Sequence, residues 1–217
     1  MTDFMSRRTM MVDTQVRPSD VTKFPIIDAM LSVPRENFVP DGLREAAYVG
    51  ENLDIGRGRV MLEPRTLAKM LDALDVQPTH VALDLGCGLG YSTAVLAKMC
   101  EFVVAVEDDE ARAQEAQSLL SSQGIDNAAV MSGALTEGAE KSGPYDIIIL
   151  QGGVEDLPEA LLAQLREGGH IACLFIEGGL GVVRIGHKIH GTVNWRFAFN
   201  ASAPILKGFE KRAVFAL

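Results

Sequence analysis

The sequence predicts an α/β fold built on a doubly wound, largely parallel sheet. Three observations point there. A short apolar run, Val81 to Leu85, ends in Gly86-Cys87-Gly88-Leu89-Gly90, and a stretch of helical character, Tyr91 to Met99, follows it. A second apolar run, Phe102 to Val106, ends on an acid, Glu107. Beyond it strand-like and helix-like stretches keep alternating, as they do where helices cross over a parallel sheet.

Val21 to Leu31 reads as an amphipathic helix. So does Leu67 to Leu74, where Leu67, Met70, Leu71 and Leu74 fall at i, i+3, i+4 and i+7 and Pro64 opens the first turn. Between them lie Val33 to Pro40, Ala47-Tyr48 and a glycine loop, Gly56-Arg57-Gly58-Arg59. A segment this long ahead of the glycine turn suggests a lid or substrate platform packed on the sheet. Residues 1–79 are therefore expected to form a helical segment with a substrate loop, and residues 80–217 the sheet, in one compact unit.

After Glu107, Asp109 to Ser122 reads as a helix with Gly124 as its stop. Asn127 to Met131 reads as a third strand, and Tyr145 to Leu150 as a central strand, apolar on both faces. Pro158 and Gly168-Gly169 bracket a helix through Leu161, Leu162 and Leu165. His170 to Phe175 is the fifth strand. Val182 to Ile189, Trp195 to Phe199 and Ala213 to Leu217 form a β-rich closing edge.

Bulk properties narrow the function. A chain of 217 residues can enclose a core without staples, and 47% hydrophobic with 23% charged residues is the composition of a water-soluble domain. A net charge of −9 argues against a nucleic-acid binder, and Arg7-Arg8 and Lys211-Arg212 are too small to reverse that. Cys87, Cys100 and Cys173 lack metal-ligand spacing and read as reduced, buried small residues. No apolar stretch is long enough to span a bilayer, and the first residues lack the apolar core of a signal peptide. A cytoplasmic protein is expected. His80, His170, His187 and His190 read as surface or structural residues, and no metal site is expected.

The glycine turn carries the chemistry. Three glycines at alternate positions let bare main chain approach a nucleotide-like ligand. Glu107 stands 21 positions after Gly86, where an acid can accept hydrogen bonds from both ribose hydroxyls of an adenosine. The spacing is G-x-G-x-G, not the G-x-G-x-x-G that opens a pyrophosphate-binding helix. S-adenosylmethionine has the adenosine without the phosphate and fits best; Asp84 can then lie near its cationic end. A nicotinamide dinucleotide is the open alternative.

Taken together, several motifs resemble the protein-L-isoaspartate O-methyltransferase family, within the class I S-adenosylmethionine-dependent methyltransferases. They are VPRENFVP from Val33, AAY at Ala46 to Tyr48, IGRGRVMLEP from Ile55 to Pro64, LDLGCGLGYS from Leu83 to Ser92, and PYDIIILQGG followed by LPEALLAQLREGG. The resemblance implies a Rossmann-like sheet of about seven strands, with a variant strand order near the carboxyl end and an N-terminal helical extension. It implies donor contacts from Asp84, Gly86, Cys87, Gly88, Gly90, Glu107, Asp108, Gly133, Ala134 and Gln151. It implies methyl transfer to a carboxylate of isoaspartyl residues in damaged proteins or peptides.

Departures from the family pattern fall on the site itself. Members read G-Y-G-Q-T-I-S-Q-P where this chain reads Gly56-Arg57-Gly58-Arg59-Val60-Met61-Leu62-Glu63-Pro64. The family's active-site serine thus falls on Leu62 and the neighbouring threonine on Val60. Where members carry Gly-Asp for the adenine amino group, this chain has Gly133-Ala134, with Glu137 the acid closest in sequence. The catalytic candidates are therefore Leu62, Val60 and Arg59. Two alternatives stay open: a different, more apolar acceptor, small-molecule or protein, gripped by Arg57 and Arg59, or a donor-binding protein with little isoaspartyl activity.

Overall fold

The computed structural model describes residues 3–211. An N-terminal part holds helix α1 (Phe4–Met11), running on through wider and tighter helical turns to Ser19, and α2 (Phe24–Ser32). It continues with a hairpin of β1 (Leu53–Gly56) and β2 (Arg59–Met61), then α3 (Pro64–Leu74). The sheet domain follows as β3 (Val81–Leu85), α4 (Tyr91–Ala97), β4 (Phe102–Glu107), α5 (Glu110–Ser122) and β5 (Ala128–Ser132). It closes with β6 (Tyr145–Val154), α6 (Glu159–Ala163), β7 (Leu165–Glu177), β8 (Leu180–Ile189) and β9 (Thr192–Asn200).

Seven strands lie in the order β5-β4-β3-β6-β7-β8-β9. The strands from β5 across to β7 are parallel, and β8 and β9 return antiparallel as a meander. The expected seven-stranded, doubly wound sheet is present, with its last three strands in simple chain order. Strand order reverses at β3, which pairs with β4 on one side and β6 on the other. That reversal opens a crevice at the strands' carboxyl ends, the usual ligand position in such sheets.

Period-two alternation builds the core on both faces. On β6, Ile147 and Ile149 join the cluster formed with α2, α3 and α4, which includes Met30, Leu67 and Leu96. Ile148 and Leu150 point the other way, into a cluster with Leu83, Val106, Leu161 and Phe209. A sheet with a core on both faces needs strands too apolar to face water, which is why β3, β4 and β6 stand out in the sequence.

Three expectations need correction. The helix read from Pro158 to the Gly168-Gly169 pair ends at Ala163, and Leu165 already belongs to β7, opposite Tyr145. The two glycines do not stop a helix; they lie in a bulge where the β6–β7 register shifts, with Gly169 wedged against the carbonyls of Arg166 and Asp146. The glycine loop at Gly56 is the tip of a hairpin whose register pairs Leu53 with Met61. His170 lies inside β7 rather than at its start, stacked on His187 of β8 with ring centroids 4.4 Å apart. The strand read from Ala213 to Leu217 lies outside the described residues.

After β9 the chain crosses the carboxyl end of β6. Gly153 N–H donates to Pro204 O and Leu206 N–H to Gly153 O, both at 2.8 Å. A Cβ on Gly152 would sit 2.6 Å from the Leu206 side chain and 3.2 Å from Pro204 O. Gly152→Ala is therefore expected to destabilise the protein by about 1–3 kcal/mol through overpacking. Denaturant unfolding checks this; a shift below about 0.5 kcal/mol would mean that the crossing segment is not packed there.

Candidate active site

Buried polar contacts hold the N-terminal part against the glycine turn. Arg35 is 0% exposed; its Nε donates to Ala47 O at 2.7 Å and its Nη2 to Leu62 O at 2.8 Å. Its guanidinium also lies 4.7 Å from the Tyr91 ring centroid, at the start of α4. Beside it Arg8 donates to the Tyr48 hydroxyl and to Glu36, and Tyr48 hydrogen-bonds Glu36. The residues of the VPRE and AAY motifs thus fix the backbone that carries Leu62.

Asp84, on β3, is completely buried. Its carboxylate accepts from Ser92 Oγ at 2.6 Å, Thr93 Oγ1 at 2.7 Å and Gln151 Nε2 at 2.8 Å. Burial raises its pKa, and the three hydrogen bonds oppose that rise. Asp84 therefore ties the first turn of α4 to the middle of β6. Burial, together with the neighbouring acids Asp84 and Glu107, pushes the Cys87 thiol well up, so it is a neutral packing residue and no nucleophile.

Glu107, at the end of β4, is 0% exposed. Its Oε1 accepts from Arg59 Nη1 at 3.1 Å and Arg112 Nη1 at 3.3 Å. Its Oε2 accepts from Arg59 Nη2 at 3.2 Å and from the Gly88 N–H at 2.8 Å. Burial raises its pKa, chiefly opposed by Arg59. Arg59 also donates to Asp108 Oδ1 and to Gly86 O, each at 2.7 Å. A Cβ on Gly86 would lie 2.4 Å from Arg59 Nη2, so the glycine here admits the guanidinium.

The structure brings Asp84, Gly86, Cys87, Gly88, Glu107, Asp108 and Gln151 together around one crevice. Gly90 opens α4 in a left-handed conformation. Gly133 N–H donates to Glu107 O at 3.0 Å, and Ala134 follows it exposed on the rim. Glu137 is not in the crevice; it lines a separate groove with Met131, Ala139 and Gln164. Arg59 is a correction. It does not face an acceptor but turns inward, 5% exposed, onto the Glu107 carboxylate. Arg57 pairs with Asp109 at the rim.

Val60 and Leu62 face an apolar cavity with Ile55, Leu89 and Tyr91, and Leu62 is 2% exposed. The cavity measures about 20 Å³, room for a water molecule and not for an adenosyl group. A larger cavity of about 380 Å³ is lined by Arg59 together with Arg57, Asp108, Asp109, Arg112 and Lys207. No group of His, Cys, Asp and Glu among the described residues could hold a metal ion. No helix among them is long and apolar enough to cross a membrane.

An adenosyl donor fits this site in part. The bare turn, the switch-point crevice and the placement of Glu107 suit it. The carboxylate of Glu107 offers about four acceptor positions, and all four are filled from within the chain. The Glu107 carboxylate has acceptor positions open to a ligand only once Arg59 leaves.

Comparison with known proteins places the chain. A family model described as protein-L-isoaspartate(D-aspartate) O-methyltransferase matches residues 6–180. A protein-L-isoaspartate O-methyltransferase of Aliivibrio fischeri strain MJ11 is 34% identical over 181 residues, 83% of this chain and 87% of its own length. One from Methylorubrum extorquens is 36% identical over 208 residues, 95% of this chain and 91% of its own. A Plasmodium falciparum protein assigned the same activity, solved with S-adenosyl-L-homocysteine, superposes with a TM-score of 0.80. It covers 95% of this chain and 99% of its own, and at 21% identity that likeness speaks to the fold.

Proposed function

Because the chain belongs to the protein-L-isoaspartate(D-aspartate) O-methyltransferase family, we propose that it methylates a carboxylate of isoaspartyl residues in proteins or peptides, with S-adenosylmethionine as donor. The observation that carries this reading is the Gly86–Gly90 turn beside Glu107 at the point where strand order reverses. When bound, the donor supplies an electrophilic methyl group on a sulfonium. The chain needs no strong base, because a carboxylate of pKa ~3.5 is already ionised at neutral pH. Its task is to hold the acceptor in line, ~3–3.5 Å from the methyl carbon, in a dry site.

Each residue's part follows from its surroundings. The main chain from Gly86 to Gly90 admits the adenosyl group. Asp84 locks Ser92, Thr93 and Gln151 so that the wall of the crevice cannot shift. Leu62, Val60 and Ile55 exclude water but donate no hydrogen bond to an acceptor carboxylate. Residues 1–79 serve as the acceptor platform, anchored through Arg35. With three free, buried cysteines, the protein is suited to a reducing compartment, and we place its work in the cytoplasm.

The apolar lining at Val60 and Leu62 favours a second reading, the same methyl transfer to a more apolar acceptor. Paired peptides separate the two. Methylation of an isoaspartyl peptide, absent on its normal aspartyl twin, supports the first; methylation of neither, with S-adenosylhomocysteine bound, leaves the second. Leu62→Ser restores one hydrogen-bond donor to the acceptor position. It is expected to raise isoaspartyl methylation about tenfold, the effect of one hydrogen bond of ~1.4 kcal/mol. An unchanged rate in a folded variant would mean that the acceptor is held elsewhere.

A further inference from the structure

Arg59 is the one buried charged group of the site for which the proposed activity has no use. It lies 48 positions from Glu107 in sequence, yet both its terminal nitrogens are spent on the crevice: Nη1 on Glu107 and Asp108, Nη2 on Glu107 and Gly86 O. Ribose hydroxyls need the same carboxylate oxygens. The guanidinium and an adenosyl group cannot occupy that place together.

We propose that Arg59 is an internal plug of the donor site, so that a donor binds only when the β1–β2 hairpin releases it. The inference rests on the adenosyl reading of the crevice. Two further observations support it. The cavity of about 380 Å³ that Arg59 already lines gives the side chain somewhere to go. The hairpin tip is held to α5 by polar contacts, Arg57 on Asp109 and Arg112 Nη2 on Gly56 O. Three successive tip residues, Gly56, Arg57 and Gly58, have positive φ, and a Cβ on either glycine would meet nothing within 4 Å. The tip residues Gly56 to Gly58 are thus held by polar contacts and carry no apolar packing of their own, whereas Ile55 and Val60 beside them stay on the core.

The thermodynamic consequence is a weakened apparent affinity. A ligand that binds only the unplugged state loses affinity in proportion to the fraction of molecules in that state. Arg59→Gln removes the charge and the fork while Arg112 and the Gly88 N–H still satisfy Glu107. Arg59→Lys keeps the charge but cannot bridge two acceptors with a planar fork.

Titration calorimetry with S-adenosylhomocysteine on the whole protein tests this. R59Q is expected to bind about tenfold tighter than the wild type or more, with R59K between them. In the wild type, saturating ligand is expected to speed hydrogen exchange at the amides of residues 56–59. Wild-type binding as tight as that of R59Q, or greater protection of those amides on binding, overturns the plug and leaves the adenosyl site standing. Failure of wild type and both variants to bind overturns the adenosyl site and the plug together.

Discussion

Glu107→Ala is expected to abolish measurable S-adenosylhomocysteine binding and to lower folding stability by about 3 kcal/mol, the low end for breaking a buried ion pair. The stability loss arises because Arg59 and Arg112, both largely buried, lose a shared carboxylate. Asp108 and Gly86 O still hold Arg59, which keeps the cost at that low end. For a chain of this size the loss corresponds to a fall of roughly 6–12 °C in melting temperature. Glu107→Gln, which preserves shape and one acceptor, is expected to lose less stability. Denaturant unfolding and calorimetry on the pair check both halves. A loss under about 1 kcal/mol in Glu107→Ala would show that the arginines find other partners.

Arg35→Ala is expected to cost about 4 kcal/mol. Two buried carbonyls, Ala47 O and Leu62 O, would lose their donor at ~1–3 kcal/mol each, and the cation over Tyr91 would be lost as well. The change also frees the backbone of Leu62, so any methyl transfer is expected to fall with stability. Arg35→Lys keeps the charge without the fork that spans two segments of chain, and should recover only part of the loss. Unfolding curves within about 1 kcal/mol of the wild type would mean that Arg35 does not anchor the N-terminal part.

The parts of the fold legible in sequence are those where burial alone decides. Ile147 to Leu150 is buried on both faces, so it reads as an apolar run bounded by turns and could only be a central strand. The glycine turn and Glu107 were legible because adjacent parallel strands bring their carboxyl ends together at fixed offsets. Elements held by tertiary contacts were not. Residues Phe4 to Ser19 are mostly polar, and only Met11, Val12 and Val16 are buried among them. Strands β1 and β2 are four and three residues long, too short for alternation to show.

The site shows the same division. Asp84 and Glu107 stand at positions that local spacing singles out. Sequence reasoning assigns Arg59 to the acceptor side of the site, because nothing in a linear sequence says that a hairpin folds onto a strand end 48 residues away. A signal was nonetheless present. A charged residue stands where the family pattern carries glutamine, in a chain that also keeps the acid. An added cation and a retained acid in one site invite the question of whether they pair.

The most direct measurement is a crystal structure of the wild-type protein with S-adenosylhomocysteine. Adenosine against Gly86 to Gly90, both ribose hydroxyls on Glu107 and the Arg59 guanidinium withdrawn into the cavity lined by Asp108 and Asp109 is the expected result. Arg59 still on Glu107, with the ligand absent or bound elsewhere on the molecule, would contradict it.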